Sequence, residues 1–86
     1  MNEVINEKVS VVSIYDRATG LVKPFKIKWQ GRIYKITTLG YHHKTKEGKK
    51  LLHIFSVCNE TIAFRLKLDT ENLHWTLEEV SDGFAS

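Results

Sequence analysis

The chain has little of what most small proteins use as staples or catalysts. It holds one cysteine, Cys58, in 86 residues. An internal disulfide and a cysteine-built zinc site are therefore excluded. There is one proline, Pro24, and the five glycines stand alone at positions 20, 31, 40, 48 and 83, so no glycine-rich phosphate loop exists. No apolar run approaches the roughly 18–20 residues of a membrane span. The opening residues, Met1-Asn2-Glu3-Val4-Ile5-Asn6-Glu7, are polar and acidic and lack the pattern of a secretory signal. These absences lead to the expectation of a cytoplasmic protein with no membrane association. No serine sits on a glycine-flanked elbow, and no base is set beside Cys58 to activate it. The chain reads as non-catalytic, with no cofactor.

What is present is globular. Hydrophobic residues make up 42% and charged residues 27% of the chain, which suits one small domain with one core. The formal net charge of +3 hides an uneven distribution. Residues 23–50 carry Lys23, Lys26, Lys28, Arg32, Lys35, Lys44, Lys46, Lys49 and Lys50 against Glu47 alone. Residues 51–86 carry Arg65 and Lys67 against Glu60, Asp69, Glu71, Glu78, Glu79 and Asp82. A basic middle beside an acidic end has two readings. Neighbouring strands can pair opposite charges and so solvate the sheet. Alternatively, a basic face meets phosphate or an acidic protein surface.

Alternation with a period of two dominates, so the chain is expected to be all-β. Six strands are predicted, starting with Val9–Tyr15. The second runs through Leu21, Phe25, Ile27 and Trp29 on one face and Lys26 and Lys28 on the other. Pro24 lacks an amide proton, which confines it to a strand edge or start. Gln30-Gly31 is a two-residue hairpin connection. The third strand is Arg32–Leu39, with a bulge or bend at Gly40 and a continuation through Tyr41 and His42. Residues 45–50 form a solvated loop before the fourth strand, Leu51–Cys58, which is apolar on both faces. Ile62, Phe64, Leu66 and Leu68 mark the fifth strand, and Leu73, Trp75 and Leu77 the sixth. Residues 1–8 are a lead-in, 9–80 the single β domain, and 81–86 a tail expected to fray.

All the connections are short, which implies antiparallel neighbours and a meander. No helix is available to cover the apolar face of Phe25, Ile27, Trp29, Ile62, Phe64, Leu66, Trp75 and Leu77. The sheet is therefore expected to curl strongly into a small barrel or half-barrel; the alternative is a flat sheet that dimerises. The oligomeric expectation is a monomer or weak homodimer. Trp29 and Trp75 should both be sequestered from water. His42 and His43 are adjacent on a strand, point to opposite faces and cannot chelate together, so no metal site is expected.

The candidate nucleic-acid contacts are Lys26, Lys28, Arg32, Lys35, Lys44, Lys46, Lys49 and Lys50 for phosphate, with Tyr34 and Tyr41 for base stacking. A two-residue loop pairs Trp29 with Arg32, Lys28 with Ile33 and Lys26 with Lys35. Lys26, Lys28 and Lys35 then form one exposed cluster, offset by an acidic neighbour such as Glu78 or by an anionic partner. The competing reading is a protein-interaction module that uses a sheet edge or an apolar patch.

The hairpin Phe25-x-x-x-Trp29-x-Gly31-Arg32-x-Tyr34, with the closing Trp75-x-Leu77, resembles an uncharacterised bacterial family of small all-β domains. Members occur alone or appended to accessory proteins of Y-family, translesion-type DNA polymerases. The resemblance implies a place in a nucleic-acid-processing complex and carries over no catalytic residue. The chain departs from the family in the loop after the third strand, which is usually tryptophan-rich and here holds Tyr41, His42, His43 and lysines. It departs again at Glu78 and Glu79 of the closing strand.

Overall fold

The structure is a computed structural model that describes residues 2–81. Seven antiparallel strands run β1 (Asn2–Asp16), β2 (Leu21–Trp29), β3 (Arg32–Lys35), β4 (Thr38–Glu47), β5 (Lys50–Cys58), β6 (Ala63–Asp69) and β7 (Trp75–Ser81). Their order across the sheet is β3-β2-β1-β7-β6-β5-β4. The chain is thus an all-β antiparallel meander, with seven strands where six were expected. The extra one arises at Ile36-Thr37, where the predicted third strand divides. The predicted lead-in is also strand, since β1 begins at Asn2, and β7 runs on to Ser81. The rest of the predicted frayed tail lies outside the described residues. The predicted loop at residues 45–50 is the tip of the β4–β5 hairpin, with Glu47 opposite Lys50 and Gly48 at φ 65°.

β1 holds the fold together by changing partners. Its first half, Asn2–Val9, pairs with β7, and its second half, Ser10–Asp16, pairs with β2. The strand is bent by an irregularity between Val4 and Glu7, where Asn6 takes φ 51°, a conformation asparagine tolerates better than most residues. A second register shift lies opposite Phe25. Because β1 splits its pairing, the β1–β2–β3 ribbon folds over the face of the β4–β7 part. Ile27, Val11, Trp29, Tyr34 and Ile36 from the ribbon pack against Phe55, Val57, Phe64, Leu66, Leu68 and Leu77.

This arrangement corrects the barrel expectation. The sheet is neither closed nor strongly curled into a barrel, and no ladder joins its edges, β3 and β4. Folding one ribbon over the apolar face buries the core without closure. The chain itself links the two parts of the sheet. The Ile36 amide donates to the Phe25 carbonyl on β2 (2.9 Å), and the next amide, Thr37, donates to the Cys58 carbonyl on β5 (2.9 Å).

Three core assignments also change. Phe25 was expected on the buried face, yet it is exposed. Val12 pairs with Lys26 and Ser13 with Pro24, which leaves Phe25 as the unpaired residue of a bulge. The bulge switches the phase of β2, so Pro24 is buried in its place. Trp29 and Trp75 are half-buried, packed at the rim of the core. The Trp29 indole donates to the Glu7 carboxylate at 3.0 Å. The Trp75 ring lies 5.4 Å from that of Phe55. An indole with one wet, polar end prefers such a rim to a dry core.

Candidate functional site

The β2–β3 hairpin turns through Gln30 (φ 52°) and Gly31 (φ 75°). Two successive positive φ angles match the twist of the flanking strands, which is why two residues suffice. The register follows as expected: Trp29 faces Arg32, Lys28 faces Ile33, and Lys26 faces Lys35. On the other side of β2, Lys28 pairs with Ser10, Lys26 with Val12 and Lys23 with Ile14. Cross-strand partners share a face. The outward face of the ribbon therefore carries Lys23, Lys26, Lys28 and Lys35, with exposed Val12, Ile14 and Ile33 between them.

Among the described residues, none of these lysines makes an ion pair. Glu78 does not reach them. It binds Arg65 (3.2 Å) and Lys67 (3.8 Å) on β6. The Lys26 ammonium lies over an aromatic face, the Phe25 ring, 5.7 Å from its centroid.

The remaining candidates divide by location. Arg32 lies opposite Trp29, on the inner side of the hairpin tip. Tyr34 pairs with the buried Ile27, and its ring packs edge-on against Phe64 at 5.4 Å. Tyr34 is therefore half-buried in the core layer, and Ile33 takes the outward place beside the lysines. Lys44, Lys46, Lys49 and Lys50 belong to the β4–β5 hairpin at the opposite edge, where Lys50 pairs with Asp69 at 3.6 Å. Tyr41 is exposed on β4, its ring 5.1 Å from His43. The basic segment of the sequence is thus split between the two edges of the sheet.

Sequence reasoning missed three members of the ribbon face: Lys23, Val12 and Ile14. The bulge at Phe25 brings Lys23 into phase with Lys26. The signal for it was Pro24, since a proline inside a strand marks an edge or a bulge.

A histidine pair occupies the inner face of the β4–β5 hairpin. The register, unbroken from Glu47 opposite Lys50 at the turn through Tyr41 opposite Ser56, makes His42 face Phe55 and Lys44 face His53. His42 Nε2 and His53 Nδ1 are 2.8 Å apart, and the His42 ring stacks on Phe55 at 4.5 Å. His43 points the other way, as adjacent strand residues must. Among the described residues, no group of three or more histidine, cysteine or acidic side chains could hold a metal ion. Cys58 is buried, with its thiol 3.8 Å from the Thr38 carbonyl.

Burial holds the pKa of both His42 and His53 below the ordinary histidine value of 6.5, and the Lys44 charge and the neighbouring imidazoles push in the same direction. A histidine depressed in the folded state takes up its proton more readily when unfolded. Its contribution to stability is complete above about pH 6.5 and is lost as pH falls through the lower, folded-state pKa. The melting temperature is expected to drop on acidification from neutral pH toward pH 5. His42→Gln should flatten that slope, and an unchanged slope would show that the pair is not its source.

The chain matches no protein-family profile, no curated protein and no solved structure.

Proposed function

We propose that this domain is a small non-catalytic module that binds nucleic acid, or docks within a nucleic-acid-processing complex, through the basic face of its β1–β3 ribbon. One observation carries the reading. Lys26 stands directly opposite Lys35, with Lys28 and Lys23 on the same exposed face, and no described carboxylate pairs with any of the four. Like charges directly opposite each other cost stability. A polyanion offsets that cost and draws most of its affinity from releasing counterions as lysines neutralise phosphates. The exposed Val12, Ile14 and Ile33 add apolar contact between the charges. The resemblance of the hairpin to the bacterial β-domain family points to the same class of partner, met in the cytoplasm.

The test is the anisotropy of labelled oligonucleotides titrated with the intact chain at about 50 and about 200 mM salt. With four lysines engaged, affinity should fall by roughly fifty- to a hundred-and-fiftyfold between the two. Absence of binding even at the lower salt would overturn the reading. It would favour a protein-interaction module using the ten-residue open edge of β4.

A further inference from the structure

Two exposed aromatic side chains stand outside the core at the margin of the lysine face. Tyr15 is 65% exposed and Phe25 is 43% exposed. Both line one open groove of about 550 Å³, beside the point where Ile36-Thr37 carries the chain from one edge of the sheet to the other. Ile36 and Leu39 add apolar wall, and Arg17 and Lys23 add positive charge. Among the described residues Asp16 is the one acid lining it, and its carboxylate already accepts the Ala18 amide at 2.9 Å. Among the described residues, neither Arg17 nor Lys23 makes an ion pair.

The groove is continuous with the lysine face. Lys23 belongs to both, and the Lys26 ammonium lies over the Phe25 ring at its margin. Aromatic rings flanked by cations recognise a ligand that is flat and apolar in one part and anionic in the next. A nucleotide whose base is out of its stack has that form. A duplex does not offer it, because its base faces are already stacked and only their edges are open in the grooves.

We propose that this groove is a single-stranded nucleic-acid site. Bases stack on Phe25 and Tyr15, Arg17 and Lys23 take the adjoining phosphates, and the strand continues across Lys26 and Lys28. The inference rests on the nucleic-acid reading above and narrows it to unpaired strands.

The test compares a labelled oligothymidylate with a duplex of equal length, using the intact chain and the variants Phe25→Leu and Tyr15→Leu. Each variant should weaken single-strand binding by roughly tenfold. Duplex affinity, the salt slope and the melting temperature should stay at the parent's values, since both rings are exposed. Arg17→Gln should lower the salt slope for the single strand by about one. If the parent binds single strand and duplex equally and neither leucine variant changes either affinity, the groove inference is overturned and the basic-face reading stands. If the parent binds neither, both are overturned.

Discussion

Phe55→Ala should cost about 3–5 kcal/mol of stability, the usual range for emptying a buried aromatic site. Phe55 is 1% exposed and among the largest fully buried side chains in the fold. Its ring is stacked on His42 and lies near Trp75, so it bridges the inner faces of β4 and β7. Those neighbours belong to paired strands and cannot easily collapse into the gap. A domain of this length has only roughly 4–13 kcal/mol to lose. Urea denaturation should show the midpoint fall sharply with an unchanged slope, and Phe55→Leu should fall less than half as far. A change under about 1 kcal/mol would mean that the site repacks, and that the ring stack with His42 is not a rigid part of the core.

The largest expected effect on binding comes from changing Lys26, Lys28 and Lys35 together to glutamine. Three fewer phosphate contacts should cut the salt slope by about 2–3 and reduce low-salt affinity by more than about tenfold, evenly across sequences. Stability should hold or rise by a few tenths of a kcal/mol, because the facing Lys26–Lys35 charges are removed. The opposite result, a loss of stability with affinity untouched, would make these lysines a solvated face and no more.

The parts of the fold legible in the sequence were those decided locally. Gln30-Gly31 allows only a tight turn, and a tight turn dictates the register that puts Lys26 opposite Lys35. Gly40 likewise marked a real bulge. A Cβ there would meet the Ser56 carbonyl at 3.3 Å. What alternation does not reveal is which of two similar faces turns inward. Ile33 and Tyr34 are both apolar enough for the core; the register sets Ile33 beside Lys28, and packing against Phe64 holds Tyr34 inside. Phe25 was misplaced for a related reason. Counting by twos fails beyond a bulge, and the bulge exists because Pro24 gives β2 no ladder donor. The His42–His53 contact was illegible because residues 45–50 read as a loop, which leaves the register of β4 on β5 open; the tight turn after Glu47 fixes it. The groove lining depends further still, on the two edges being brought together at Ile36-Thr37.

The partner switch of β1 also sets how the chain reaches its structure. The β1–β2, β2–β3, β4–β5, β5–β6 and β6–β7 pairings each join neighbours in sequence and close short loops. The β1–β7 ladder instead pairs Asn2 with Ser81 and Val9 with Trp75, closing a loop of nearly the whole described chain. Loop-closure entropy for that step must be met before the ribbon can settle on the core. Hairpins in this protein should therefore flicker into place within microseconds, while the complete fold waits, on the scale of milliseconds to seconds, for its first strand to find its last.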